Sequence, residues 1–486
     1  MKEIKFPQPD EVLTEKPSLR KYLRYLLFFG PGAIIASVTI GQGQLILGPQ
    51  IGAWADFKLL WLITINVGSY VIAYLGCRYT LLTGIGMMDA FSVKIKKGLL
   101  NWTFISIMLI FVPLFTGTIV TTLGQTVHWI VGGRGHYLAW GITFCLFAAV
   151  LALVGRYKLV EYTQAIFVAI LAIGAIVSIL MIGGFNPLEI LPNFFLIGNT
   201  PSYPDWMYTN FPTEASKPIP LIMLGYLGTL TVTIVTLVSY SGWTKVKKWG
   251  IFRDKKDPKR FSAEMFEYFK REGKVEYLPT DKKEVEKSRL LLKPAIVDLA
   301  IAFIIVSIAS SAYMIAGAYL LGPQPDGTYR LPSDINLLKE QAIIFSNIAS
   351  WLKPLYQISI FFALFGTVYG GFEAVSRMLY ETTKSVSRRV ERMSYQKFMT
   401  YLVVYLICTG VPIAILMYYG LSVILVLSIT LLFTGVVGVI IYGIGVIYIT
   451  QTTLPEKYKL SKPVLLLSIL SIFLLTVPMF SFIFAQ

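Results

Sequence analysis

The chain alternates long runs that lack Asp, Glu, Lys and Arg with short charged segments. A bilayer core takes a helix of roughly 20 apolar residues, and backbone groups in lipid must bond to one another. The segment 398–455 is long enough for two helices and divides at Tyr418-Tyr419-Gly420. The pattern therefore predicts an all-α membrane protein with eleven transmembrane helices, from the uncharged runs 25–55, 59–77, 98–133, 135–155, 162–188, 218–244, 299–325, 354–372, 398–455 and 463–486.

Two of the predicted helices contain residues that weaken a helix. Helix 1 reads Gly41-Gln42-Gly43-Gln44 in its middle, and helix 6 has two glycines followed by threonines at every second position. Interrupted helices at corresponding places in two halves are typical of inverted-repeat secondary transporters. Helices 1 and 6 are five spans apart, and this odd offset inverts the second repeat. We therefore expect a five-plus-five repeat with one helix appended.

This repeat gives the predicted domain organisation. The chain begins with a cytoplasmic tail, and an extracellular loop separates the two repeats. The second repeat contains a charged cytoplasmic loop, 245–293. The predicted boundaries are 1–24 for the tail, 25–183 for helices 1 to 5, 184–217 for the extracellular loop, 218–449 for helices 6 to 10, and 463–484 for helix 11.

Charge fixes the predicted orientation. The chain has 43 Lys and Arg against 27 Asp and Glu, a net charge of +16, yet 55% of its residues are hydrophobic and the mean hydropathy is +0.66. With the N-terminus inside, 37 of the 43 basic residues fall on the cytoplasmic side. Because cytoplasmic loops are enriched in Lys and Arg, we predict a cytoplasmic N-terminus and an external C-terminus. The excess charge therefore records orientation and does not predict nucleic-acid binding; the predicted partners are the lipid bilayer of the cytoplasmic membrane and a small ion or small polar solute.

The interrupted helices supply the candidate substrate-binding residues. Backbone freed at such a break needs a partner such as water or substrate. We expect the glycines to open the backbone, and the amides and hydroxyls to line a cavity at mid-membrane depth. The candidate residues are Gly41, Gln42, Gly43, Gln44, Thr229, Thr231 and Thr233.

Acidic residues near the membrane are few. Asp298 lies near the inner end of helix 7, and Glu373 lies at the inner end of helix 8, four residues before Arg377. This spacing favours an ion pair on one helix face. Since an acid within a membrane is a functional hypothesis, Glu373 and Asp298 are candidate relay residues.

Motifs of enzymes are missing from the sequence. There is no HExxH, no Cys/His cluster and no phosphate-binding loop, and the three cysteines lie in apolar stretches. The sequence therefore predicts neither an enzyme nor a bound cofactor.

The residues of helix 1 resemble the signature of the Nramp metal-transporter family. Gly30-Pro31-Gly32, Gly43, Gln50 and Gly52-Ala53 match that signature without a gap, and the segments from Lys58 and Arg78 resemble the family's helix 2. Gly225 and Gly228, with Trp243 and Gly250 beyond them, are similar to helix 6 of a divergent prokaryotic branch, and Phe365-Gly366-Thr367 with Arg377 to its helix 8. The resemblance implies a LeuT-like fold and secondary transport of a divalent metal ion by alternating access.

The sequence departs from the family at the positions of the metal ligands. The family's aspartate falls on Gly41 and its asparagine on Gln44. The family's Met-Pro-His in helix 6 has Val232-Thr233-Ile234 as its counterpart. The metal ligands are therefore unknown, and neutral oxygens could hold a partly hydrated cation, since Mg²⁺ keeps its water. Two alternatives stay open: a carrier of a small polar or zwitterionic solute such as an amino acid, and a non-transporting membrane scaffold or sensor.

Overall fold

In the residues that it describes, the computed structural model consists of helices and connecting loops with one two-stranded hairpin. It describes the residues 3–155, 166, 169, 173, 174, 177, 179–181, 186–334, 336–346 and 349–484. The predicted helix 5 therefore lies almost wholly outside the described residues. The longer helices are α1 (Leu19–Tyr25), α2 (Pro31–Thr39), α3 (Gln42–Ala55), α4 (Val67–Thr83), α5 (Met87–Lys94), α6 (Leu99–Ile130), α7 (Tyr137–Val154), α8 (Ile219–Leu230), α9 (Ile234–Val246), α10 (Pro258–Glu272), α11 (Lys282–Leu291), α12 (Lys293–Leu320), α13 (Leu352–Lys384), α14 (Tyr395–Tyr418), α15 (Val423–Leu431), α16 (Gly438–Thr453) and α17 (Lys462–Phe484).

Short elements complete the described part of the chain. The two strands of the hairpin are antiparallel, and Gly322 pairs with Arg330. The strands are β1 (Gly322–Pro323) and β2 (Tyr329–Arg330); the short helices are Glu11–Thr14, Trp61–Ile65, Pro187–Ile190, Asp205–Asn210, Pro212–Ala215, Ile343–Ser346 and Arg388–Glu391, with 3₁₀ turns at Leu26–Phe28, Lys96–Gly98, Leu191–Phe194, Gly250–Phe252, Glu340–Ala342 and Glu456–Tyr458.

The helices have the length and composition of membrane spans. In the described part of the chain, eight helices are long and apolar enough to cross a bilayer, or up to ten if each of two bent helix pairs is one span. Helix 1 is not among the eight: its two pieces have 9 and 14 residues, and the first of them belongs to one of the bent pairs. The chain is a multi-pass membrane protein, and the number eleven and the positions of the termini stay predictions.

Helix 1 is interrupted where its sequence predicts a break. The first half, α2, ends at Thr39, the backbone of Ile40 and Gly41 leaves the helical conformation, and α3 begins at Gln42. Gly43 lies inside α3. The expectation that Gly41 and Gly43 together open the backbone is therefore wrong for Gly43.

Helix 6 is interrupted three residues beyond Gly228. The first half, α8, ends at Leu230, Thr231 and Thr233 have extended backbone, and α9 begins at Ile234. Gly225 and Gly228 lie inside α8. A Cβ at Gly228 would lie 2.3 Å from the Leu431 carbonyl oxygen, so this glycine permits close approach of α15, as small residues do between membrane helices.

Helix 10 is irregular at the level of these interruptions. A π-helical segment, Leu432–Val437, separates α15 from α16. Such segments occur mostly within α-helices and often at functional sites. Helices 1, 6 and 10 therefore all depart from regular helix in the buried centre of the bundle.

The charged segment 247–292 folds against the inner ends of the helices. The Tyr277 hydroxyl donates to the Thr83 carbonyl (2.6 Å) at the end of α4. The Val275 amide donates to the Thr453 carbonyl (3.0 Å), and the Ile4 amide donates to the Tyr277 carbonyl (2.9 Å). The N-terminal tail and this segment thus form one layer at the end of the bundle where the sequence predicts the cytoplasm.

Candidate functional site

A cavity of about 90 Å³ lies beside both interruptions. Helices 1, 3, 6, 8, 9 and 10 supply its described lining, which includes eight threonines and no charged residue. One enclosed water needs roughly 10–15 Å³, so the cavity has room for an ion with several waters or for a small solute. The threonines are Thr39, Thr116, Thr229, Thr233, Thr236, Thr367, Thr430 and Thr434.

Three of the seven predicted substrate-binding residues line this cavity: Gly43, Thr229 and Thr233. The other four, Gly41, Gln42, Gln44 and Thr231, are buried beside it and contact neighbouring helices instead. Sequence reasoning also missed the threonines from helices 3, 8 and 10. Three of them, Thr116, Thr367 and Thr434, adjoin a glycine, but the sequence predicts no interruption in those helices.

Gln44 connects the two interrupted helices. Its Nε2 donates to Thr229 Oγ1 (2.7 Å), and that hydroxyl donates in turn to the Tyr226 carbonyl (2.8 Å). Gln44 Oε1 is buried and has no hydrogen-bond partner among the described residues. Buried polar atoms are normally bonded, so this carbonyl is an acceptor placed for water or substrate.

Gln42 is fully engaged with helix 3. Its Nε2 donates to Thr122 Oγ1 (2.8 Å), and Thr118 Oγ1 donates to its Oε1 (3.1 Å). Both ends of the amide are therefore occupied in this conformation, and Gln42 ties the helix 1 interruption to α6.

Gly41, the counterpart of the family's aspartate, packs against helix 8. A Cβ at this position would lie 2.0 Å from Thr367 Oγ1. Such a distance is far inside van der Waals contact. The present packing thus leaves no room for any side chain at residue 41. The aspartate that the family carries there would not fit either.

Helix 2 supports the interruption of helix 6. The side-chain Nδ2 of Asn66 donates to the Leu230 carbonyl (2.8 Å), which is the last carbonyl of α8. The Val232 amide donates to Ser69 Oγ (3.1 Å). Thr231 Oγ1 donates to the Gly435 carbonyl (2.7 Å) in the π-helical segment. Buried backbone groups exposed by the break therefore bond to protein, as a membrane interior requires.

The two candidate relay acids are bonded to protein groups. Asp298 accepts hydrogen bonds from the Gly30 amide (2.7 Å), the Gly32 amide (2.8 Å) and the Tyr240 hydroxyl (2.8 Å). It thus places a carboxylate at the N-terminus of α2, where the helix dipole stabilises negative charge.

Glu373 forms the ion pair that its spacing predicts. Arg377 Nε lies 2.9 Å from Glu373 Oε1, and the Tyr395 hydroxyl donates to Glu373 Oε2. The Arg377 guanidinium also lies over the Tyr395 ring, 4.7 Å from its centroid. Helices 8 and 9 are joined by this group, and a relay role for either acid stays a prediction.

Buried charges lie toward the end of the bundle that is predicted to be extracellular. In this outer cluster, Lys217 Nζ lies 2.6 Å from Glu214 Oε2 and 3.1 Å from Asp334 Oδ2. Gln50 of α3 donates to Glu214 Oε2 (3.2 Å), and Asp334 Oδ1 accepts the Ile424 amide (2.9 Å). Burial raises the pKa of the Glu214 carboxyl, and the nearby Lys217 opposes that rise.

A second buried group, the inner cluster, lies at the other end. Lys245 of α9 lies 3.5 Å from Glu381 of α13, and Lys384 lies 2.7 Å from the same carboxylate. Asp89 of α5 is buried beside them, since it lines the same small pocket as Lys245 and Glu381. Charged residues of the described chain thus occupy the two ends, and the centre between them is neutral. Among the described residues, no group of three or more His, Cys, Asp or Glu is placed to hold a metal ion.

Two interrupted helices, one in each predicted repeat, with a cavity beside both, define the class of LeuT-like secondary transporters. Residues 32–485 match the family described as "Natural resistance-associated macrophage protein-like". The chain belongs to this family, Nramp, and is a secondary transporter.

Solved structures share this fold at low identity. A manganese transporter from Eremococcus coleocola, in complex with an aromatic bis-isothiourea substituted compound, is 13% identical with a TM-score of 0.66, covering 96% of this chain and 88% of that one. Mhp1, a nucleobase-cation-symport-1 family transporter in a closed conformation, is 12% identical with a TM-score of 0.53, covering 93% and 90%. MhsT in complex with L-phenylalanine is 17% identical with a TM-score of 0.51, covering 94% and 98%. A comparison with curated protein sequences finds no match.

Proposed function

We propose that this chain carries a hard divalent cation, together with part of its water, across the cytoplasmic membrane. It is a metal-ion secondary transporter of the Nramp family, and its cargo moves by alternating access between the interrupted helices. The observation that carries the proposal is the hydrogen bond from Gln44 to Thr229, which joins the two interrupted helices at the edge of a neutral cavity.

The donor set determines the class of cargo. Gln44 Oε1 and Thr430 Oγ1 are buried oxygens without a partner among the described residues, and the described cavity lining contains no thiolate, thioether, imidazole or carboxylate. Soft ligands select soft transition metals, whereas oxygen ligands suit Mg²⁺, which binds few protein groups and keeps several waters. Neutral oxygens that contact bound water fit such an ion.

A polar or zwitterionic solute is the second candidate. The N-termini of α3 and α9 follow the two interruptions, and helix N-termini favour anionic groups such as a carboxylate. The neutral lining favours this candidate as well, because it supplies no counter-charge for a cation.

Uptake into proteoliposomes tests the two candidates side by side. The protein is reconstituted, and entry of Mg²⁺, Mn²⁺ and a set of amino acids is measured. We expect Mg²⁺ entry that Gln44→Ala reduces, because the variant removes an unpartnered acceptor. Gln396→Ala is the matched control, since that amide is exposed at the start of α14 and bonds to the Leu153 carbonyl. Amino-acid entry without metal entry would overturn the proposal.

A further inference from the structure

We propose that residues 19–28 form an interfacial helix that lies in the lipid surface on the side of the membrane that carries the basic segments. The interfacial helix consists of α1 (Leu19–Tyr25) and the following 3₁₀ turn, Leu26–Phe28. The side of the membrane rests on the predicted orientation; the contact with lipid goes beyond the proposed transport and does not depend on it.

The apolar side chains of the interfacial helix face outward. Leu19 is 78% exposed and Leu27 is 80% exposed. Between them, Tyr22, Leu23 and Leu26 are more than half exposed. Positions separated by three or four residues share one helix face, so these five side chains form a continuous apolar stripe at the surface.

One basic side chain of the same helix, Lys21, faces inward, whereas Arg20 is exposed and Arg24 is partly exposed. Lys21 is 6% exposed, and its ammonium donates to the Leu13 carbonyl (3.4 Å) and to the Glu15 carbonyl. Arg24 lies 2.5 Å from the Glu15 carboxylate. A lysine turned into the protein and leucines turned out of it are the reverse of a water-facing helix.

A second helix of the same layer shows the ordinary arrangement. In α10, Met265, Phe266 and Phe269 are buried against the protein, and the Arg260 side chain is 79% exposed. The two helices lie at the same end of the molecule, so they share the aqueous compartment. The reversed polarity of the interfacial helix therefore identifies a different neighbour, an apolar one.

The direction of the interfacial helix identifies that neighbour as the bilayer. The segment Leu19–Phe28 is bent by 69° from α2, which starts at Pro31 and forms the first half of helix 1. A helix that continues into a span after so sharp a bend runs along the membrane surface, with its apolar face in the acyl boundary. Arg20 and the nearby Lys16 are exposed and are placed for anionic headgroups.

This placement gives the inner half of helix 1 two anchors. Asp298 binds the amides of Gly30 and Gly32 from the side of helix 7. The interfacial helix, which directly precedes α2, holds the start of α2 at the lipid surface. A movement of α2 in a transport cycle then also moves the membrane-bound interfacial helix.

Spin-label accessibility tests the inference on the full chain. Cys408, the exposed cysteine, is changed to Ser, and single labels are placed through Leu23→Cys and Leu27→Cys. Glu264→Cys on α10 is the control, because its side chain is 55% exposed. Each variant is reconstituted in vesicles of phosphatidylcholine and phosphatidylglycerol, and collision with oxygen and with a water-soluble nickel chelate is measured.

We expect labels at 23 and 27 to collide with the nickel chelate several-fold less than the label at 264, and with oxygen more. Equal nickel access at 23, 27 and 264 would place the stripe in water and overturn the inference. Dipolar broadening of the label at 27 that disappears on dilution with unlabelled protein would assign the stripe to a second copy of the chain, and would also overturn it.

Discussion

The centre and the two ends of the helical bundle differ in the kind of polar group they contain. The described lining of the central cavity offers hydroxyls and no charge, whereas the outer and inner clusters contain buried ion pairs. Buried ion pairs cost desolvation and stabilise little, but breaking one is strongly unfavourable. The comparison teaches that charge in this transporter joins elements to one another, whereas the candidate cargo site offers uncharged dipoles.

The outer cluster shows what such a connection holds. It joins Gln50 of helix 1 to the loop before helix 6 through Glu214, and Asp334 joins the loop before helix 8 to the first turn of helix 10. Elements of both repeats therefore meet at this cluster. Opening the bundle on this side requires these pairs to separate.

The largest expected effect comes from placing a side chain, charged or uncharged, in the closely packed neutral centre. Gly41→Asp restores the family's acid, but a Cβ there lies 2.0 Å from Thr367 Oγ1, so we expect uptake to be abolished. Gly41→Ala should fail for the same steric reason, and Thr367→Ala in that background should restore part of the uptake. Gly48→Ala is the matched control, because its Cβ would meet nothing closer than 3.5 Å. Wild-type uptake by Gly41→Asp would show that the centre tolerates charge.

The next effect comes from removing one charge at an end. Lys217→Met leaves the buried Glu214 and the half-buried Asp334 without their cation, and the loss should be about 3–5 kcal/mol. Thermal unfolding in detergent measures it. Arg260→Met, which breaks the exposed pair with Glu264, should cost less than about 1 kcal/mol. Adding Glu214→Gln to Lys217→Met should recover part of the loss, and an additive double variant would contradict the pairing.

A smaller effect is expected from an uncharged bond beside the cavity. Thr231→Val leaves the buried Gly435 carbonyl without its 2.7 Å donor, a cost of about 1–3 kcal/mol. We expect lower stability and reduced uptake. The exposed Thr452 donates to its own helix at 2.7 Å, so Thr452→Val should change neither quantity. If both variants behave alike, the contact between helices 6 and 10 has no special role.

The smallest effect concerns pH at the outer cluster. Burial raises the pKa of Glu214 above its ordinary value of 4.5 in the folded protein, with Lys217, Asp334 and Gln50 around it. The folded state therefore binds more protons than the unfolded state in this window, and its stability falls as pH rises from 4.5 through the raised pKa. Glu214→Gln should remove this slope in unfolding midpoints measured across that range. A slope unchanged by the substitution would assign it to other groups.

The sequence predicts the helices and the existence of the two interruptions. It predicts less well where the interruptions fall and which side chains bond there. Gly41 marks one break correctly, since α2 ends two residues before it and α3 begins directly after it. Gly225 and Gly228 mislead, since they face Ser428 and Leu431 and the break follows later. The distinction depends on which helix packs against a glycine.

Side-chain partners are less predictable still. Gln42 has the residue type and position of a cargo ligand, yet Thr118 and Thr122 of helix 3 engage its amide. Asp298 looks like an isolated acid in the sequence, and its partners Gly30 and Gly32 lie more than 260 residues earlier. Contacts at such separation are set by tertiary packing and leave no local pattern.

The contacts from helix 2 to helix 6 assign two tasks to different residues. One set bonds to the interrupted backbone, and another set lines the cavity. Asn66 and Ser69 occupy the freed backbone groups at Leu230 and Val232, so the hinge does not rely on a bound cargo or on side chains at the cavity. The residues that line the cavity can therefore change while the backbone contacts at the interruption of helix 6 are retained. For this reason, a chain without the family's usual metal ligands can retain the interrupted helices of the family.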